Sequence, residues 1–106
     1  MSSRLGILLA SGPEEGDLPL VEAVARAALA QGRQVGLFLM DAGCSWALDG
    51  RLQALIRDGV EATICAMDAE ARGLDVAAIA AAGVHLGSQH DHARLVRDSH
   101  RFLCFA

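Results

Sequence analysis

Short runs of consecutive apolar residues alternate along the chain with stretches in which apolar residues recur every three or four positions. Glycine, proline or aspartate marks the changes between them. Arg4 to Ala10 (RLGILLA) is the first run, and it ends at Ser11-Gly12-Pro13, as a buried strand of a parallel sheet meets its turn. From Leu18 to Gln31, Leu20, Val21, Val24, Ala27 and Ala28 fall at helical spacing, with Asp17 placed as N-cap and Gly32 as the stop.

The cycle then repeats. Gln34 to Met40 (QVGLFLM) reads as a second strand, followed by a loop at Asp41 to Cys44 and a helical stretch ending near Asp58 and Gly59. Val60 to Cys65 is a third strand, and a helical turn around Asp68 to Ala71 breaks at Arg72-Gly73. An alanine-rich helix, Val76 to Ala82, is closed by Gly83. Val84 to Leu86 is a short fourth strand, Gln89 to Asp98 a last helix, and Arg101 to Phe105 a terminal strand. Strands alternating with helices in this way predict an α/β fold, a three-layer α/β/α sandwich around a parallel sheet of about five strands.

That architecture directs attention to one edge, because ligands and reactive groups in open α/β sheets gather outside the carboxyl ends of the strands. The loops expected there are Ser11 to Asp17, Asp41 to Ser45, Cys65 to Asp68 and Gly87 to His92. Two of the three cysteines and His85, His90 and His92 fall on or beside them.

Composition narrows the chemistry. A length of 106 residues, 53% of them hydrophobic, fits one domain over residues 1–106. All nine basic residues are arginine, and neither lysine nor tyrosine occurs, which excludes a lysine Schiff base, a Walker lysine and a tyrosine general acid. The formal charge of -4, without a basic block, argues against nucleic acid as a partner. The loop Ser11 to Gly16 lacks GxGxxG and GK[ST] signatures, and Glu14, Glu15 and Asp17 would repel a phosphate there. GxSxG is absent as well. Three unpaired cysteines without CxxC spacing point to a reducing compartment, and no run is long enough for a membrane span, so a cytoplasmic location is expected.

The three thiols are not equivalent by position. Cys65 ends a strand just before a helical turn, where free N–H groups favour a thiolate; Arg72 favours it too, while Asp68 and Glu70 oppose it. The plain alternative is a small buried side chain at a strand end. Cys44 is a loop thiol that can serve as a second thiol for Cys65 or have no task. Cys104, between Leu103 and Phe105, is expected in the core and inert. His90 and His92 stand two apart, a spacing that turns them away from each other on a helix, so no metal site is expected. His85 or His90 can instead act as proton acceptor or donor for the Cys65 thiol.

Several segments resemble the DsrE/DsrF-like family, which includes the small subunits of the Tus sulfur-relay complex. Ile7-Leu8-Leu9-Ala10-Ser11-Gly12-Pro13 is similar to the family's first strand and turn, and Gly32 to Met40 (GRQVGLFLM) to its second. Ile64-Cys65-Ala66-Met67-Asp68-Ala69-Glu70-Ala71-Arg72-Gly73 resembles the segment that carries a sulfur-accepting cysteine ahead of an Arg-Gly pair. His90-Asp91 and the Arg101 to Phe105 ending are also family-like. The resemblance implies a persulfide carrier with sulfane sulfur on Cys65, no metal or organic cofactor, sulfur donor and acceptor proteins as partners, and a homo-oligomer built as a trimer or hexamer. The other function class compatible with the residues is a non-catalytic binding or assembly subunit of the same fold, acting as a small-ligand or redox sensor.

Overall fold

The computed structural model describes residues 3–106. Strands β1 (Arg4–Leu9), β2 (Gln34–Leu39), β3 (Glu61–Cys65), β4 (His85–Gly87) and β5 (Arg101–Phe105) form one parallel sheet in the order β4-β3-β2-β1-β5. The connecting helices are α1 (Leu18–Ala30), α2 (Gly50–Arg57), α3 (Ala66–Ala71), α4 (Val76–Ala81) and α5 (Gln89–Asp98). Right-handed crossovers explain the layers. The chain steps in one direction from β1 to β4, which sets α1, α2 and α4 on one face, and α5 then carries it back across the other face to β5.

The two faces are packed unequally. On the first, Leu5, Ile7 and Leu9 of β1, Val35, Leu37 and Leu39 of β2 and Ile64 of β3 pack against Leu18, Val21, Leu52, Leu55 and Ile79 to form the core. The second face has only α5, which has no buried residue of its own. Its contact with the sheet relies on small residues beneath it: a Cβ added at Gly36 would lie 2.6 Å from Leu95 Cδ1. Phe38 is buried there, with the His92 ring stacked on it at 5.2 Å between centroids.

Most expected elements occur with ends shifted by a residue or so, as strand ends fray into turns. The last helix and last strand fall where the sequence places them. Three expectations change. Asp41 to Cys44, read as loop, begins a 3-10 helix, Asp41–Trp46, which closes over the ends of β1 and β2. Asp17 stands at the N-cap of α1 without capping it, because its carboxylate accepts a hydrogen bond from Ser11 Oγ at 2.5 Å. Cys104 is exposed rather than in the core, since β5 is an edge strand and its apolar sequence alone does not say which neighbours cover it.

Helix α5 begins with a capping box: Ser88 Oγ accepts from the N–H of His90 and the Asp91 carboxylate from that of Ser88. The bond from Ser88 holds the Asp91 carboxyl below its ordinary value of 3.8. A depressed carboxyl pKa contributes stability above the unfolded value and loses it as pH falls through the folded one. Ser88→Ala should therefore cost about 1 kcal/mol at neutral pH. The destabilisation caused by Asp91→Ala should shrink in acid, once the wild-type carboxylate is itself protonated. Thermal melts of both variants as a function of pH measure the two effects.

Candidate functional site

The carboxyl edge is drawn together by backbone bonds at the end of β1. Leu9 O accepts from Met40 N–H at 3.2 Å and Ala10 O from Gly43 N–H at 3.1 Å, so the 3-10 helix starts hard against the first strand. Trp46 Nε1 then donates to Ser11 O at 3.0 Å from a buried position. Gly43 permits this closeness: an added Cβ would collide with the Leu9 carbonyl and lie 3.1 Å from the Ala10 Cα.

Cys65 is both the last residue of β3 and the N-cap of α3. Its backbone is extended, with φ -66° and ψ 108°, and its sulfur is not spent on a side-chain cap of the helix. The side chain is nevertheless enclosed, with the residue 5% exposed. Cys44 lies in the 3-10 helix facing this junction and is fully buried. Burial pushes its thiol pKa up to about 12, helped by the charges of Asp68, Cys65 and Asp41 and opposed by Arg72. A thiol so placed stays protonated at neutral pH and is a poor nucleophile.

A polar bridge ties the 3-10 helix to α3. Asp68 Oδ2 accepts from the Asp41 N–H at 2.8 Å, and Arg72 Nη2 donates to Asp41 Oδ1 at 2.9 Å. Asp41 adopts a left-handed backbone at φ 51°, which aspartate tolerates better than most residues, and these two bonds secure it there. Sequence reasoning missed Asp41 as an organiser of the site. The available signal was an aspartate directly after a strand, set three positions ahead of Cys44, one 3-10 turn.

The structure thus gathers Cys44, Cys65, Asp68 and Arg72 at one junction, with the Arg72 guanidinium held by Asp41. His90 has no hydrogen bond to this cluster through its side chain among the described residues. It occupies the first turn of α5, exposed, on the segment following Gly87, which is in register with Cys65. A cleft of about 230 Å³ opens beside the junction, lined by Gly12, Pro13, Glu14, Glu15, Ala42, Ser45 and Arg72. A larger cleft of about 450 Å³ lies beside α5, between Arg4, Glu61, His85, Arg94 and Asp98, and neither thiol lines it. Among the described residues no group of three or more His, Cys, Asp or Glu side chains is placed to hold a metal ion, and no helix is long and apolar enough to cross a membrane.

One comparison gives the family and another the fold. A model of the DsrE/DsrF-like family matches residues 4–105. The chain is similar to the solved ychN protein from E. coli at 18% identity and a TM-score of 0.75, covering 99% of this chain and 100% of that one. It is similar to BT1422 from Bacteroides thetaiotaomicron at 15% identity and a TM-score of 0.79, covering 97% and 95%. MTH1491 from Methanobacterium thermoautotrophicum matches at 15% identity and a TM-score of 0.77, covering 98% and 100%. The last two are described as proteins of unknown function, and likeness at these identities shows the fold alone. No curated protein matches the sequence significantly.

The thiol environments order the cysteines for alkylation. Iodoacetamide should label exposed Cys104 in the native protein and reach Cys44 only after unfolding, as read by mass spectrometry of the peptides. Gly43→Ala should cost about 1–3 kcal/mol by overpacking the end of β1. Gly50→Ala, where an added Cβ meets nothing within 4 Å, should stay within about 0.5 kcal/mol. Urea melts of the pair measure the difference.

Proposed function

The chain belongs to the DsrE/DsrF-like family, and from that premise we propose that it is a sulfur-relay protein carrying sulfane sulfur on Cys65. The observation that supports this reading above others is the place of Cys65. It is the strand-to-helix junction residue at the carboxyl edge of the sheet, with a sulfur uncommitted to capping and no lysine, metal cluster or nucleophile elbow among the described residues to suggest another chemistry.

In the proposed cycle the Cys65 thiolate attacks the outer sulfur of a donor protein's persulfide. The donor's sulfur–sulfur bond breaks, the donor leaves as a thiolate, and Cys65 holds the transferred atom as Cys–S–S⁻. An acceptor thiolate then attacks that outer sulfur and Cys65 is released as a thiolate. Each step exchanges one sulfur–sulfur bond for another, so no external oxidant or reductant enters.

Neighbouring residues have supporting roles. Arg72, anchored by Asp41, offsets the charge of Asp68 beside the loaded sulfur. Burial of Cys44 as a neutral thiol matters as well, because a Cys44 thiolate could attack the Cys65 sulfur, close a disulfide and expel the cargo as hydrosulfide. The enclosure of Cys65 limits loss of cargo to small thiols and makes transfer depend on proteins that fit the carboxyl edge. Donor and acceptor are thus both protein partners, and a homo-oligomer of trimers, single or paired, is the assembly that goes with this reading. His90, on the exposed start of α5 at the same edge, would meet such partners before Cys65 does.

The same enclosure favours a second reading, a non-catalytic binding or assembly subunit in which Cys65 is a packing residue. One experiment separates the two. After incubation with a sulfurtransferase and thiosulfate, intact-mass and peptide analysis should find one added sulfur, about 32 Da, on Cys65. Cys65→Ser should abolish the gain and Cys104→Ser should leave it. Loading that survives Cys65→Ser, or that is found on Cys44 alone, would overturn the sulfur-relay assignment to Cys65. No loading at all, with Cys65 alkylated as slowly as Cys44, would favour the assembly subunit.

A further inference from the structure

Alternation along β3 turns Cys65 away from the core. Successive side chains of a strand point to opposite faces, and Ala62 and Ile64 belong to the core cluster, so Thr63 and Cys65 face α5. The partner strand agrees. Gly87 is in register with Cys65, and a Cβ added there would meet Asp91 of α5 and the Thr63 methyl. Among the described residues, Cys65 and Phe38 are the two buried apolar side chains outside the core cluster, and Phe38 lies under α5 as well.

What covers the thiol on that face is a side-chain strap. Leu39 pairs with Ile64, so Met40, still extended at φ -145° and ψ 166°, stands level with Cys65 on the β2 side, as Gly87 does on the β4 side. Gln89, the first residue of α5, donates from Nε2 to Met40 Sδ at 3.8 Å. Because β3 lies between β2 and β4, this contact has to cross the end of β3, where Cys65 is. Its other end is anchored. Gln89 Oε1 lies 3.0 Å from His92 Nδ1, and an amide oxygen only accepts, so His92 is the donor; its ring is in turn stacked on Phe38.

We propose that Gln89 and Met40 gate Cys65: the thiol is reached from the α5 face, and it is uncovered when the Gln89–Met40 contact opens. A thioether is a weak acceptor and Gln89 is exposed, so the weakest link of the strap is the one over the sulfur. It opens by side-chain rotation, with the sheet and the capping box of α5 left in place. A gap of two side chains admits a small reagent or a single extended side chain, such as a persulfide-bearing cysteine, and not a folded surface. As a control on sulfur transfer the gate rests on the sulfur-relay reading, whereas the route to the thiol does not.

Iodoacetamide labelling of the native protein, followed cysteine by cysteine by peptide mass spectrometry, tests the gate. In the unaltered chain Cys65 should react more slowly than Cys104 and faster than Cys44. Gln89→Ala should raise the Cys65 rate roughly three- to tenfold, as expected for the loss of one modest contact that limits local opening. Met40→Ala should raise it at least as much. Cys44, buried in the core, should keep its rate in both variants and so report that the fold is intact. Met67→Ala, two positions beyond Cys65 on α3 and 78% exposed, should change nothing. Gln89→Ala replaces an exposed helical residue by a good helix former, so it decides alone where Met40→Ala disturbs folding. An unchanged Cys65 rate in Gln89→Ala, a rise that Cys44 shares equally, or opening by Met67→Ala instead overturns the gate. Alkylation needs no sulfur donor, so failure of the gate is distinct from failure of Cys65 to gain sulfur.

Discussion

The backbone at the end of β1 is the constraint on which the rest of the structure depends. Over the three residues Leu9, Ala10 and Ser11 the chain meets β2, the 3-10 helix and β5 at once. Leu9 O accepts from Met40, Ala10 O from Gly43, and Phe105 O from the N–H groups of Ala10 and Ser11. These bonds bring the loops after the first two strands to one edge, and Trp46 reaches back to Ser11 O to hold the turn. A side chain at position 43 would separate the 3-10 helix from the strand, and Cys44 would leave its place beside Cys65.

Unequal layers follow from the chain's path. Three of the crossovers share one face and supply a closed core, whereas the return to β5 spends one amphipathic helix on a face five strands wide. That economy leaves Phe38 stacked under His92 and a large cleft open beside α5. Strand order, in turn, leaves a strand as apolar as β5 at the sheet's edge. The apolar content of the chain is thus divided between a well-packed core and exposed surface.

Two cysteines share one junction, and both are buried there. Burial holds the Cys44 thiol neutral, and Asp68 and Asp41 add to the effect against Arg72. Cys65 sits at the strand end, with its sulfur free of capping duty. Of Asp68 and Glu70, which by sequence alone oppose a Cys65 thiolate, Asp68 is engaged: it accepts from the Asp41 N–H, while Asp41 itself pairs with Arg72. Asp41 and Asp68 thus hold the 3-10 helix and α3 together.

Periodicity by itself determined the order of strands and helices, the α/β class and the carboxyl edge as the place to search, because apolar spacing records which face of each element is buried. Several short segments, the one around Cys65 the most informative, were sufficient to point to the family. Only the tertiary structure decided how each cysteine is surrounded. Leu103-Cys104-Phe105 reads as core, but strand order puts it at the sheet's edge, and an apolar run cannot report which strands will flank it. Asp41-Ala42-Gly43-Cys44 reads as a loop, yet its glycine lets it wind tightly against β1 and its aspartate bonds α3, residues far along the chain. Burial, pairing and charge at a site are sums over neighbours brought together by folding, which spacing along the chain does not record.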